Sequence, residues 1–377
     1  VNELDAVLAA WKECCRHGRP AVLATVVKVT GSAYRRPGAR MLFPSGAPPA
    51  GVISGGCLEG DLAERIGAVL ESGEARVQVY DMRSPDDIVW GLGLGCNGEI
   101  RVLLERLSPE PKPELPEFLA GCREARRPGV VATVFEATGE SAPAPGSRLL
   151  LDLDGTRSGS LPENELGALV LEDARDCLRK GRSEVRRHEV GPVAAELFVE
   201  YLAPPVRLLV FGAGSDSRPL VRLAKEIGWE VGVLDNRAGY ATPELFPEAD
   251  QVSVVDFEKL ESAGLSFDER TPVVVMTHHF LHDLKLLAFL LPRPLCYLGL
   301  LGPRQRAEKL LHELGGRGVR PAPDQFLKLH GPVGLDIGAE TSEEIALSVV
   351  AEIQTVLAGR RGGFLKNRSE PLHDWPS

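Results

Sequence analysis

The sequence predicts an α/β protein in which an N-terminal α+β domain made of two related repeats precedes a C-terminal Rossmann-like parallel-sheet domain. Three observations predict it. The stretch beginning Arg19-Pro20 returns at Arg127-Pro128, an offset of 108 residues. The segment Arg207–Asp235 reads as strand, glycine turn, helix, strand and acid in that order. Beyond it, apolar runs and helical stretches alternate to about Leu357, the pattern of a parallel sheet.

The 377 residues allow two or three domains, expected here as repeat one (1–110), a degenerate second repeat (111–203), the Rossmann-like domain (204–358) and a mobile tail (359–377). A net charge of −10 argues against a nucleic-acid or anionic-membrane partner, because a phosphate surface repels it. Seven cysteines, an odd number without zinc-finger spacing, fit a reduced cytoplasmic protein better than a disulfide framework. No leader-like segment or membrane-length apolar run stands out, although the true start before Val1 stays open.

Within the repeats the 108-residue offset holds for Gly31 and Gly139, Arg40 and Arg148, Gly51 and Gly159, and Gly73 and Gly181. Each copy opens with an amphipathic helix. A strand follows (Ala21–Val29; Val130–Ala137), then a Pro-Gly turn and a second strand (Arg40–Phe43; Arg148–Leu151). A glycine-bounded loop leads to a second helix (near Leu58–Leu70; near Leu166–Leu178) and a strand pair. The closing segments Glu105–Pro109 and Glu200–Pro204 match at an offset of 95, so repeat one carries about 13 extra residues within Arg83–Asn97.

Residues shared by both copies are expected to hold the fold, and residues of one copy are free to carry chemistry. Repeat one has Ser54-Gly55-Gly56-Cys57-Leu58-Glu59 where repeat two has Pro162-Glu163-Asn164-Glu165-Leu166-Gly167. Its extra loop contains Gly91-Leu-Gly-Leu-Gly95-Cys96. Adjacent glycines let backbone N–H groups face a ligand, and a helix N-terminus favours an anion and lowers a thiol pKa. Ser54, Gly55, Gly56, Cys57, Glu59 and Cys96 are therefore candidate cofactor-binding residues, and Cys57 and Cys96 candidate ligands of a soft metal centre. The alternative is two small apolar residues in tight loops. Arg40, matched by Arg148, reads as structural. Asp81 reads as a cap or a ligand-orienting acid, and the unmatched Arg35-Arg36 as an anion contact or a solvated pair.

Pro204-Pro205 reads as a linker. After it, Gly212-Ala-Gly214-Ser-Asp216-Ser217 makes the glycine turn, with Ser217 in place of a third glycine, and Asp235 closes the next strand. Asp235 would favour a ribose 2′-hydroxyl over a 2′-phosphate, if NAD(P) binds at all. Further strands are expected at Gln251–Val254, Pro272–Met276 and Leu295–Leu298, with a helix over Gln305–Leu314. Ligands of open parallel sheets sit at the carboxyl ends of strands, which makes His278, His279, Gly302 and Arg304 candidates beside Gly212, Gly214, Asp216 and Asp235, while Asp336 and Glu340 on the loop before the last helix are candidates for a polar site. The blander alternatives are capping histidines and a surface ion pair. Thr341-Ser-Glu-Glu344 is a capping box that opens the last helix.

Gly31-Ser32, Pro37–Met41, Gly51–Asp61 and Gly91–Gly98 resemble the N-terminal module of the XdhC/CoxI family. Phe211–Gly214, Arg218-Pro219, Val275–His279, Leu298–Gly302 and Gly334–Gly338 resemble that family's C-terminal Rossmann module. The sequence departs at Pro303, where serine is usual, and at Ser215, where histidine is common. The resemblance implies a non-catalytic accessory protein that binds molybdenum cofactor (molybdopterin). It would protect the cofactor while a cysteine desulfurase supplies a terminal sulfur, then insert it into a xanthine-dehydrogenase-type molybdoenzyme. It also implies a homo-oligomer. Two other functions compete: an NAD(P)-dependent oxidoreductase with His278 or His279 as proton carrier, and a scaffold that recruits its target through repeat two.

Overall fold

The structure, a computed structural model, describes residues 3–31, 35–56, 58–82, 98–319 and 322–369. The chain divides into two compact units, residues 3–204 and 205–369. Among the described residues no helix is long and apolar enough to cross a membrane.

The first unit contains the two repeats. Repeat one runs α1 (Glu3–Arg16), β1 (Ala21–Gly31), β2 (Arg40–Pro44), β3 (Ala50–Gly51), α2 (Glu59–Ser72), β4 (Arg76–Asp81) and β5 (Gly98–Leu107). Repeat two runs α3 (Glu114–Glu124), β6 (Gly129–Thr138), β7 (Arg148–Asp152), β8 (Arg157–Ser158), α4 (Glu165–Lys180), β9 (Glu184–Val190) and β10 (Val193–Leu202). Each forms a five-stranded antiparallel sheet with equivalent strand order, β3-β2-β1-β5-β4 and β8-β7-β6-β10-β9. The short strands β3 and β8 do not stand out in the sequence. Each ends against a glycine, Gly51 (φ 92°) or Gly159 (φ 113°). A Cβ there would lie 2.3 or 2.4 Å from the carbonyl oxygen of Arg40 or Arg148, so only glycine closes this edge.

The long apolar runs of β1 and β6 are continuous because both faces are buried. Val22, Ala24 and Val26 face the core beneath α2, and Val130, Ala132 and Val134 face the core beneath α4. Leu23 and Val131 turn the other way, into one cluster with α1 and α3. The β1–β5 register slips between Val26 and Lys28, and the β10–β6 register slips opposite Phe135. These equivalent bulges turn Val27 and Phe135 inward, where they meet Leu103 and Phe198 in a small cluster shared by the sheets.

Polar pairs cross between the repeats reciprocally. Arg40 of β2 grips Glu200 of β10, and Arg148 of β7 grips Glu105 of β5. All four side chains are nearly buried, at 6 and 9% exposure for one pair and 11 and 11% for the other. The turn glycines keep room for them. A Cβ on Gly38 would lie 2.9 Å from Glu200 Oε1, and one on Gly146 would lie 2.7 Å from Glu105 Oε1. Arg40 thus has the structural task expected of it.

The second unit is a six-stranded parallel sheet ordered β13-β12-β11-β14-β15-β16. Its elements are β11 (Arg207–Phe211), α5 (Ser217–Glu226), β12 (Glu230–Asp235), β13 (Gln251–Val254), β14 (Pro272–Val275), α6 (Phe280–Leu290), β15 (Tyr297–Leu300), α7 (Arg304–Gly316), α8 (Pro323–Leu327), β16 (Leu329–His330) and α9 (Ser342–Leu357). Helices α5 and α9 cover one face, and α6 and α7 the other. The expected strand Leu295–Leu298 lies two residues later, because Tyr297 pairs with Pro272 and Leu300 with Val275. Helix α6 escapes a periodicity reading because Phe-Leu-His-Asp-Leu-Lys-Leu-Leu-Ala-Phe-Leu is apolar nearly all round. The capping box forms as expected, with Thr341 Oγ1 accepting from Glu344 N–H and the Glu344 carboxylate accepting from Thr341 N–H.

Candidate functional site

The order in which the chain adds parallel strands reverses between β11 and β14, and the loops leaving these strands form the place where ligands of such sheets sit. The first loop begins at Gly212, whose φ is 124°. A Cβ there would lie 2.4 Å from the Met276 carbonyl oxygen, so the glycine lets the two loops touch. Ser217 is buried and its hydroxyl donates to the Gly214 carbonyl at 2.7 Å, which ties the turn to the first residue of α5. The amides of Gly214, Ser215 and Asp216 have no protein acceptor among the described residues. They are donors available to an anion.

Asp216 and His278 join the loops, with His278 Nε2 2.7 Å from Asp216 Oδ2. His278 holds φ at 57°, a left-handed conformation that is uncommon outside glycine. His279 instead caps α6, with Nδ1 accepting from His282 N–H at 3.4 Å, and its ring lies 4.0 Å from that of His282. Burial, and then the neighbouring His279, holds the His282 pKa below its ordinary value.

Asp235 is almost fully buried, and its acceptor positions are filled internally. Ala213 N–H and Arg237 Nη2 donate to Oδ2, and Arg237 N–H and Nε donate to Oδ1, all within 2.9 Å. Burial alone would raise its pKa, but these donors hold it below the usual carboxylate range. A ribose hydroxyl would have to displace Arg237 to reach it.

Across β14 and β15 the structure assembles a trio absent from the candidates chosen by sequence. Thr277 Oγ1 donates to Asp283 Oδ1 at 2.5 Å, and Arg306 Nη2 donates to Asp283 Oδ2 at 2.6 Å. Gly302 (φ 120°) makes room for this arginine, since a Cβ would lie 2.8 Å from Arg306 Cδ. Arg304 points elsewhere: it is 82% exposed and pairs with Glu308 one turn along α7. The missed signal was helical phase, together with an acid at position 283 in an otherwise apolar helix. Asp336 is exposed on the loop before α9, and among the described residues no hydrogen bond or ion pair joins it to the others. That loop is anchored by Glu352, which accepts from Gly334 N–H (2.7 Å) and Tyr297 Oη (2.5 Å) and lies 3.0 Å from His330 Nδ1.

In the first unit the candidate turn precedes α2. Ser54 is buried, and its hydroxyl donates to Glu59 while accepting from Gly56 and Leu58 N–H. The Glu59 carboxylate also accepts from Ser54 N–H (2.8 Å) and Leu58 N–H (3.1 Å). Burial pushes the Glu59 pKa up, but the Ser54 hydroxyl and the backbone donors outweigh it and leave the carboxyl below its ordinary value. The helix terminus is thus occupied by the protein's own carboxylate. Gly55 and Gly56 are exposed, and Gly56 adopts φ 107°. Cys57, Cys96 and the extra loop Arg83–Asn97 lie outside the described residues. Asp81 ends β4 opposite Glu99, and Arg35 pairs with Glu3.

Of the other cysteines, Cys177 and Cys296 have thiols pushed up to about 12 by burial, the opposite of a poised nucleophile. Among the described residues no group of three His, Cys, Asp or Glu side chains is placed to hold a metal.

Comparison with known proteins bears on both units. Residues 208–353 match the XdhC Rossmann domain, and residues 14–81 and 122–189 each match the XdhC and CoxI family. A Bacillus subtilis protein named as a probable subunit of xanthine dehydrogenase is 37% identical over 93% of this chain and 95% of its own. The chain belongs to the XdhC/CoxI family. The two XdhC and CoxI matches start 108 residues apart, the spacing of the repeats. A second relative, the "Molybdenum cofactor insertion chaperone PaoD" of Escherichia coli, is 27% identical over 91% of this XdhC/CoxI chain and 86% of its own. A crystal structure of a Bacillus halodurans protein described as a xanthine dehydrogenase superposes with a TM-score of 0.77, at 30% identity over 98% of each chain.

Proposed function

We propose that this XdhC/CoxI chain is a non-catalytic accessory protein that carries molybdenum cofactor as cargo. It protects the cofactor, supports sulfuration by a cysteine desulfurase, and inserts the cofactor into a xanthine-dehydrogenase-type molybdoenzyme. In this reading it works in the cytoplasm as a homo-oligomer. The observation that carries the reading is the near full-length match to a relative named for molybdenum cofactor insertion.

The donor set is compatible with an anionic cargo. The Gly214, Ser215 and Asp216 amides offer N–H donors at the amino end of α5, and His278 stands beside them on Asp216. Asp216 opposes an anion, and His278 offsets that charge when protonated. In the first unit, a ligand arriving at Ser54–Cys57 meets the Glu59 carboxylate and must share its donors. Cys57 and Cys96 remain the proposed thiol contacts to the metal or its sulfur. NAD(P) chemistry has less support, because Asp235 has its acceptors committed to Ala213 and Arg237.

The test is metal and pterin analysis of the protein purified from cells making molybdenum cofactor. The expected result is copurified pterin with molybdenum, reduced in Cys57→Ala and Cys96→Ala. Protein free of pterin from such cells would overturn the cargo reading, and full retention in both variants would remove the thiols from it.

A further inference from the structure

We propose that Arg306 is an anion-binding side chain of the parallel-sheet unit, taking the phosphate-type group of a ligand at the carboxyl ends of β14 and β15. This deepens the cargo reading and rests on it only for the identity of the ligand.

Three features point to it. First, Arg306 lies in the opening turn of α7, while Asp283 lies in the opening turn of α6. The ion pair thus joins the first turns of two helices, with each charged side chain near the amino end of its own helix. A cation near helix amino ends is electrostatically disfavoured, so the arrangement retains an excess of positive potential that an anion would relieve. Second, the guanidinium is held but not used up. Its Nη2 and Nε both donate to Asp283 Oδ2 (2.6 and 3.3 Å), while Thr277 occupies Oδ1. Among the described residues Nη1 has no acceptor. Third, Asp283 is 2% exposed whereas Arg306 is 24% exposed, so the pair presents its cationic side to solvent. The Thr277–Asp283 pair acts as positioning machinery: it fixes the plane of the guanidinium and leaves the planar fork toward Nη1 for a tetrahedral oxyanion.

The experiment is a calorimetric titration of the full chain with inorganic pyrophosphate, with melting temperatures measured in parallel. Arg306→Met leaves Asp283 buried without its partner, so its folding is at risk, and Arg306→Lys is the deciding variant. Lysine keeps the ion pair with Asp283 but has no second arm. Binding is expected to weaken at least tenfold in Arg306→Lys with little change in melting temperature, and to stay unchanged in the exposed control Arg304→Met. Wild-type affinity in Arg306→Lys, an equal loss in Arg304→Met, or no pyrophosphate binding by the unaltered chain would each overturn the assignment. Pterin analysis of the unaltered protein decides the cargo reading separately, so failure of one is distinguishable from failure of the other.

Discussion

The two repeats share one strand order, and one of the places where they differ is the start of the second helix. Both place a bulge at the equivalent residue, Val27 or Phe135, and both send an arginine into the other repeat to meet a buried glutamate. They part where the second helix begins. Helix α2 is closed by Ser54 and Glu59, whereas α4 is closed by Asn164 Oδ1 accepting from Gly167 N–H at 3.0 Å. The residues held in common thus include the arginines and glutamates through which the repeats grip each other. The turn before the second helix is one of the places where they differ, and repeat one alone carries the extra residues within Arg83–Asn97.

The strongest way to break this comparison is through the reciprocal ion pairs. Arg40→Met strands Glu200 in a buried setting, and Arg148→Met strands Glu105. Removing one member of a buried pair costs about 3–5 kcal/mol. Each variant is expected to lose that much in a denaturant titration. If either is silent while the other is severe, the repeats are alike in shape but not in energetics.

Much of this was legible in the sequence, because turn glycines and closing motifs repeat in register and a repeated turn needs repeated glycines. Arg40 and Arg148 were visible as a matched pair, and Glu105 and Glu200 as members of matched segments. That each arginine crosses to the other repeat was not visible, since the offset says what is equivalent and not what touches. The parallel sheet was legible from its glycine turn and alternation. Arg306 was not, because choosing between it and Arg304 requires the phase of α7 relative to Asp283, and α6 itself is hidden by its uniform apolarity. The position of Asp235 at the end of its strand likewise could not show that Arg237, two residues on, folds back upon it.

The helix ends offer a sharper and smaller test. Glu59 has its pKa held below the ordinary value, so its contribution to stability is present above the unfolded carboxyl pKa of about 4.3 and is lost as pH falls through the folded value. Asn164 does not titrate. Glu59→Gln is expected to cost about 1 kcal/mol at neutral pH and progressively less in acid, whereas Asn164→Ala costs about 1 kcal/mol across the range. Melting temperatures between about pH 3 and pH 7 distinguish the two profiles. Parallel curves would mean that the Ser54–Glu59 knot is not the cap that the geometry describes.

The smallest expected effect concerns how unlike the repeats have become where they meet. Lys28 pairs with Glu196 at 2.9 Å, while at the equivalent positions the signs are exchanged, so that Glu136 pairs with Arg101. Two copies of repeat one would bring Lys28 against Arg101, and two copies of repeat two would bring Glu136 against Glu196. The exchange favours pairing of unlike repeats over pairing of like ones, although both ion pairs are partly exposed and each is worth about 1 kcal/mol or less. Lys28→Glu should cost that amount. Adding Glu196→Lys should recover only part of it, because Arg101 lies 3.8 Å from Glu196 and would then face a lysine. Adding Arg101→Glu with Glu136→Lys should recover more, but not all, since Glu99 loses the arginine it now holds at 2.8 Å. A double variant already as stable as the unaltered chain would show that the four charges act as independent surface pairs, with no bearing on which repeat pairs with which.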